Sequence, residues 1–356
     1  MRSFRLMALL AMCLMLLAAP VQAKTTINFW HGMGGELGEI TDEMIKEFNA
    51  SQDKYEVKGV YKGNYDEAMT AAIAAFRAKQ HPNLIQIFEV GTASMMAAKG
   101  AIRPVYEIME AAGTPVDTSK LLGSVASYYS STDGKLIAMP FNASTTVLYY
   151  NKDAVKKAGG DPDHFPTTWP EVAELAKKIK ESGACKYGLT SGWQSWVQLE
   201  SFSAWHNVPF ATNNNGYDGL DTKLLFNSPL HVKHIDFLSK LQKDGVMVYV
   251  GRKSEAINAF TSGEAGILMN SSGSYAAVKA GAKFQWGVAL LPYWPDVKGA
   301  PYTAQRVAQQ YVMELEGVRH YTDQMPVAAE LKDGSIALAL ESFAADRSYH
   351  LSLAFT

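Results

Sequence analysis

Disulfide bonds have almost no material in this sequence: its 356 residues contain two cysteines, Cys13 and Cys185. Cys13 lies inside an N-terminal apolar run that reads as a removable leader, so one thiol remains and an internal disulfide is excluded. The fold must hold by its apolar core, and 47% hydrophobic residues over this length supply enough for two lobes. A surplus of either charge is also missing. The 33 Lys and Arg and 35 Asp and Glu are mixed along the chain. That excludes a basic face for nucleic acid and a polybasic membrane patch, and favours a small neutral or anionic partner. No stretch after the leader reaches the roughly 18 unbroken apolar residues of a membrane-spanning helix. Internal repeats and low-complexity linkers are absent. So are the Gly-x-Ser-x-Gly elbow, the His-Glu-x-x-His zinc motif and the spacing of a nucleotide-binding phosphate loop, so neither catalysis nor a cofactor is expected.

What is present begins at the first residues. Arg2 and Arg5 precede an apolar run from Leu6 to Ala18, followed by Pro20 and the small-x-small site Val21-Gln22-Ala23. This is the pattern of a signal peptide cut after Ala23, and it implies a soluble, exported protein. A lipoprotein anchor at Cys13 fits less well, because Met12 stands where a small residue is needed and Cys13 lies in mid-run. Removal of Arg2 and Arg5 shifts the formal charge of −2 to −4.

From Lys24 onward short apolar runs alternate with helical periodicity, which predicts an α/β fold built of βα units. Strands are expected at Thr26 to Trp30, Glu56 to Tyr61 and Leu84 to Val90, with helices from Leu37 to Asn49 and from Tyr65 to Lys79. Leu136 to Phe141 contains Pro140, which cannot donate to a ladder, so it reads as an edge or crossover segment carrying a hinge. Beyond it, strands at Val147 to Tyr150, Tyr187 to Thr190, Ala265 to Met269 and Phe284 to Leu291 alternate with helices at Trp169 to Glu181, His231 to Lys243 and Ala256 to Thr261. The expected division is 1–23 leader, 24–138 first α/β lobe, 139–300 second α/β lobe and 301–356 a separate tail.

Candidate site residues fall on the loops after strands, where α/β sheets hold ligands. Tyr65, after the second strand, offers a ring and a hydroxyl; Glu89, at the end of the third, offers a carboxylate. The alternative, equally open, is that Tyr65 packs a helix and Glu89 is solvated. Ser144, in Asn142 to Thr146, and the turn Ser271-Ser272-Gly273 supply hydroxyls, and the turn is expected to present free backbone N–H groups to an anion; a plain helix cap is its other reading. Trp193, after Gly192, suits stacking on the apolar face of a polyol, whereas Trp196 and Phe202 read as core. His231 and His234 have metal-ligand spacing but no third ligand, and are expected on a solvated helix face.

Several stretches together carry a resemblance: NFWHGMGGELG at 28–38, YKGNY at 61–65, FEVGTASMMA at 88–97, PFNASTTVLYYNKDA at 140–154, SGWQSWVQLESFSAWHN at 191–207, YVGRK at 249–253 and NSSGS at 270–274. From about Thr26 to Pro301 the sequence resembles the periplasmic glycerol-3-phosphate-binding proteins of ABC importers. The resemblance implies two lobes of the maltose-binding type that close on ligand. It also implies a monomer in the periplasm that delivers its solute to membrane permease subunits, and no metal. Tyr65, Glu89 and Ser144 would hold the glycerol part, Ser271 the phosphate with Ser272 and Gly273 beside it, and Trp193 would cover the site. After Pro301 the resemblance stops. Residues 302–356 show neither the crossover strand nor the phosphate-binding Tyr and Arg of that family. The expectation is a reading-frame change near Pro301, decided by the coding DNA, with lowered stability and weakened phosphate binding as its consequence. A sugar or oligosaccharide carrier is the near alternative. A secreted phosphodiester hydrolase is the distant one, with Glu89 and the two helix histidines as its only acid–base material.

Overall fold

A computed structural model of the chain describes residues 23–301, apart from 89–90, 92–93, 96–97, 99, 122–125, 127, 132, 143, 217–220 and 299. The leader up to residue 22 and the segment 302–356 lie outside the described residues, together with the expectations made for them. The chain groups into two compact units, one up to Ile102 and one from Arg103. Among the described residues no helix is long and apolar enough to cross a membrane.

The first unit is a run of βα units. Strand β1 (Thr25–His31) leads through helix α1 (Gly35–Ser51) to β2 (Tyr55–Tyr61), and helix α2 (Tyr65–Arg77) leads to β3 (Leu84–Ile85). All pairings are parallel and the order is β2-β1-β3, as helical crossovers require. Helix α2 starts at a capping box: Asn64 Oδ1 accepts from the Asp66 and Glu67 amides, and Glu67 returns a carboxylate to the Asn64 amide at 2.7 Å. Its buried face is Ala68, Ala72 and Ala75. The third strand is shorter than the expected Leu84 to Val90, for a geometric reason. Its partner β1 ends at His31, and Gln86 closes the pairing there, donating its amide to Trp30 O at 2.9 Å and accepting the Gly32 amide on its side chain at 3.0 Å.

The second unit opens with α3 (Val105–Ala111) and then builds a mixed sheet of order β6-β5-β7-β4-β8. Its elements are β4 (Thr146–Asn151), α4 (Lys152–Lys157), α5 (Trp169–Glu181), β5 (Tyr187–Ser191), a π-turn (Trp196–Glu200) running into α6 (Ser201–Trp205), α7 (Thr212–Gly216), α8 (Pro229–Lys243), β6 (Met247–Val248), α9 (Glu255–Thr261), β7 (Ala265–Ser271), α10 (Tyr275–Gly281) and β8 (Trp286–Ala289). β5, β6 and β7 run parallel, while β4 is antiparallel to both β7 and β8. β4 is buried along its whole length, so its alternate residues enter two cores. Leu148 and Tyr150 join Ile267, Met269, Val172, Ile179 and Trp205 on one face; Val147 and Tyr149 join Leu268, Phe260 and Val278 on the other. Glu171 accepts from the Thr168 amide and hydroxyl at the start of α5, where the sequence places a helix start. Cys185 is a buried free thiol, and burial pushes its pKa up, which makes it a poor nucleophile.

The histidines on α8 correct an expectation. His231 and His234 do not face solvent but are fully buried, because with Leu238 they share one helix face at i, i+3 and i+7, and that face meets the core. His234 stacks on Phe202 with ring centroids 4.0 Å apart. A third histidine, His206 at the end of α6, completes the cluster. The backbone N–H of Trp294 donates to His206 Nε2 at 2.9 Å, and the indole N–H of the same residue donates to His234 Nδ1 at 3.4 Å. Both groups can only donate, so both imidazoles must be neutral to accept. Burial lowers the pKa of His206 to about 4 and that of His234 well below its ordinary value. His231 is lowered by burial too. It is more tolerant of a proton, because Ser228 Oγ at its Nδ1 is a hydroxyl that can reverse its role.

A histidine whose folded pKa is depressed gives stability that is complete above the unfolded value of about 6.5 and is lost as pH falls from there toward the folded value. For His206 alone the window runs from about 6.5 to about 4, and the loss reaches at most about 3 kcal/mol. The expected outcome is a thermal midpoint that drops steadily across this window; a midpoint unchanged between neutral pH and the lower end would contradict the neutral, hydrogen-bonded cluster.

Candidate functional site

Ser144, Trp193, Ser271, Ser272 and Gly273 come from three distant stretches of chain, and the sheet of the second unit brings all three to one edge. β5 and β7 are parallel and end there, with Ser191 opposite Met269; β4 is antiparallel and begins there, with Thr146 opposite Ser271. This is the carboxyl edge of the parallel strands.

At its centre is Gly273. A Cβ on this residue would lie 3.3 Å from Ser144 Oγ and 3.3 Å from Ser271 Oγ, so the two hydroxyls face one spot beside the glycine. Ser271 Oγ also accepts the Gly273 amide at 3.1 Å, which leaves its own proton to donate outward. Ser272 points the other way. It is buried, its Oγ accepts the Thr145 amide at 3.1 Å, and its amide donates to Thr145 O at 2.8 Å. The Tyr149 hydroxyl closes the junction by donating to the carbonyls of Ser271 and Ser272 at 2.9 and 3.1 Å.

One expectation about this turn is corrected. Its amides at 271, 272 and 273 are not free, since they donate to Asn270 Oδ1, Thr145 O and Ser271 Oγ. The capping reading therefore holds for Ser271, and of these three positions only Ser271 keeps a hydroxyl that is not buried. Sequence reasoning also missed a set of polar atoms near this edge: Thr146 Oγ1, Asn270 Nδ2 and Gln194 Oε1 are buried with no hydrogen-bond partner. Such groups are destabilising unless something meets them. Their only sequence signal was membership of the quoted stretches 140–154, 191–207 and 270–274.

Trp193 sits at a φ of 47°, in the left-handed region that is disfavoured for a bulky side chain by about 1–2 kcal/mol. The surrounding bonds hold it there. The Gly192 amide donates to Met269 O at 3.0 Å, and the Val197 amide donates to Trp193 O at 2.9 Å. Gly192 admits no larger residue, because a Cβ would overlap Lys253 O and stand 2.7 Å from Asn270 Nδ2. The indole is half-buried against the larger core.

In the first unit, Tyr65 opens α2 half-buried, its ring stacked on Phe88 at 5.3 Å and 7°. Gly32 makes room for it, since a Cβ there would stand 2.9 Å from the Tyr65 ring. Glu89 lies outside the described residues. Among the described residues no three His, Cys, Asp or Glu side chains gather as a metal site.

The family model of the bacterial extracellular solute-binding proteins matches residues 34–314, a range that includes every residue of this edge. The chain belongs to that family. Among curated relatives of these solute-binding proteins, it is 50% identical over 289 residues to the sn-glycerol-3-phosphate-binding periplasmic protein UgpB of Escherichia coli O6:K15:H31 (strain 536 / UPEC), covering 81% of this chain and 66% of that one. To the protein of the same name from Salmonella paratyphi A it is 50% identical, covering 79% and 64%. The chain thus spans just under two thirds of the length of these relatives. Among solved structures, it is similar to UgpB of Mycobacterium tuberculosis in complex with glycerophosphocholine (TM-score 0.64, 22% identity, 77% and 66% covered). It is also similar to the maltose-bound MalE3 of T. maritima (TM-score 0.61, 18% identity, 93% and 90% covered). Likeness at these identities shows the fold, an α/β fold of the maltose-binding type, as expected from the sequence.

The two serines of the turn should separate experimentally. Ser272→Ala leaves the buried Thr145 amide without an acceptor and is expected to destabilise the protein by about 1–3 kcal/mol. Ser271→Ala removes only a turn bond and is expected to lower stability by less than about 1 kcal/mol. Urea unfolding of both variants checks this; equal losses would refute the inward role of Ser272.

Proposed function

We propose that this solute-binding protein captures sn-glycerol-3-phosphate, or a related glycerophosphodiester, in the periplasm and passes it to the membrane subunits of an ABC importer, by binding and release without catalysis. The observation that carries this reading is the convergence of the Ser144 and Ser271 hydroxyls over Gly273, at the carboxyl edge of a sheet whose family binds solutes. Ser144 is the partner for a glycerol hydroxyl. Ser271, with its proton free to donate, is the partner for a phosphate oxygen. The indole of Trp193 covers the carbon chain, where an aromatic face replaces water at little entropic cost. The ligand named for the 50% identical relatives supports the choice of solute. Tyr65 of the first unit is a separate candidate contact, and the two lobes at 24–138 and 139–300 belong to the same proposal.

One observation favours a second reading. With the amides of the turn satisfied internally, the edge offers hydroxyls and an aromatic ring, which also suit a neutral sugar. A thermal-shift screen with sn-glycerol-3-phosphate, glycerophosphocholine, maltose and inorganic phosphate separates the two, because a ligand of the native state present at about 100 times its Kd stabilises by about 2.7 kcal/mol. The expected outcome is a raised midpoint with the two glycerol phosphates and none with maltose. Ser144→Ala and Ser271→Ala are each expected to weaken glycerol-3-phosphate binding roughly tenfold in calorimetry. A response to maltose alone would replace the phosphate reading with the sugar reading.

A further inference from the structure

A hydrogen-bond chain runs from the candidate edge into the core of the second unit, and its direction is forced at every link. The indole N–H of Trp294 can only donate, so His234 Nδ1 accepts it at 3.4 Å. His234 therefore carries its proton on Nε2 and donates to Gln198 Oε1 at 2.9 Å. That fixes the amide of Gln198, whose Nε2 donates to Ser191 Oγ at 3.0 Å and approaches Met269 Sδ at 3.6 Å. Ser191 Oγ donates its own proton to Gly192 O at 3.2 Å, since a carbonyl can only accept. The last carbonyl belongs to the residue before Trp193. Ser191, Gln198 and His234 are all buried, so no link is exchanged for water. Gln198 reaches inward from the π-turn Trp196–Glu200, a local widening of the helix that recurs at functional sites.

We propose that the chain Trp294–His234–Gln198–Ser191 sets the strained turn that carries Trp193, which makes Gln198 and His234 positioning residues for the ligand-side aromatic. The proposal rests on the reading of Trp193 as a ligand contact. A second proton on His234 would point an N–H at the indole N–H of Trp294 and break that link, while the Nε2–H keeps its bond to Gln198 Oε1, so the neutral ring is what ties Trp294 to the rest of the chain. The titratable and charged groups around His234 are His206 at the end of α6, His231 one turn away on α8, and the Lys233–Asp296 pair at 2.8 Å beyond His206. Burial holds His234 neutral at ordinary pH, and both neighbouring histidines add to that.

Glycerophosphocholine is the probe for the test, because a phosphodiester lacks the second ionisation near pH 6 of a monoester and keeps its charge between about pH 7.5 and about pH 5. Because burial holds His234 neutral over that range, the full chain is expected to bind it within about twofold at both ends. His234→Gln keeps one acceptor and one donor, and is expected to bind within about twofold of the full chain and to leave amide exchange at Gly192 and Val197 near the full chain's rate. Gln198→Leu is expected to weaken binding about tenfold and to speed amide exchange at Gly192 and Val197 about tenfold, while exchange in Trp169–Glu181 stays unchanged. The exchange measurement needs no ligand. Unchanged exchange at Gly192 and Val197 in Gln198→Leu, or exchange in His234→Gln as fast as in Gln198→Leu, overturns the proposal. If Trp193→Ala binds as well as the full chain while Gln198→Leu still speeds exchange at Gly192, the ligand role of Trp193 fails and the relay to its turn stands.

Discussion

The antiparallel pairing of β4 with β7 is the constraint on which the rest of this arrangement depends. It joins Thr145 to Ser272 across 127 residues of sequence through a reciprocal pair of bonds, and the Tyr149 hydroxyl locks the same corner from the next register position but two. Closing so long a loop is entropically unfavourable. Here burial of β4 on both faces, with side chains entering two cores, offsets it. The pairing brings Ser144 and Ser271 to the same spot beside Gly273.

That corner divides its polar groups into two kinds. Ser272, Thr145 and Tyr149 satisfy one another inside the protein, and their role is to make the corner rigid. Ser144 and Ser271 keep hydroxyl capacity at the surface of the same corner, while Thr146 Oγ1, Asn270 Nδ2 and Gln194 Oε1 are buried without partners. A rigid frame carrying under-satisfied polar groups is poised for a polar ligand, because binding then recovers a desolvation penalty already incurred on folding. Strain at Trp193 belongs to the same pattern, since a left-handed tryptophan persists only where the surrounding bonds over-determine it.

The histidine cluster shows how a polar residue type can build a core. Each imbidazole edge that meets Trp294 meets a group that can only donate, so the neutral form is a structural requirement rather than an accident of burial. The consequence reaches outward. The same His234 that packs against Phe202 and Trp169 also belongs to the hydrogen-bond chain that reaches Ser191 and the carbonyl before Trp193.

Much of the fold was legible in the sequence where local periodicity decided it. The Ala-rich face of α2, the Thr168–Glu171 start of α5 and the buried runs of β4 and β7 carry their own signals, and these elements form within a few residues of where the pattern puts them. The α/β class and the loops that hold candidate residues follow from the same alternation. What periodicity could not tell was which partner each element meets. β3 is short because its partner β1 ends at His31, a fact about another segment. His231 and His234 read as polar and therefore solvated, yet the face they share with Leu238 is covered by Phe202, Trp169 and Trp294, from three other parts of the chain. The turn at 271–273 looked like a source of free amides, and only the arrival of Thr145 and the side chain of Asn270 shows those amides already taken. Composition and spacing determine which short segments form and which chemistry they carry; hydrogen-bond satisfaction and burial are settled between segments far apart in sequence, and so by the tertiary structure alone.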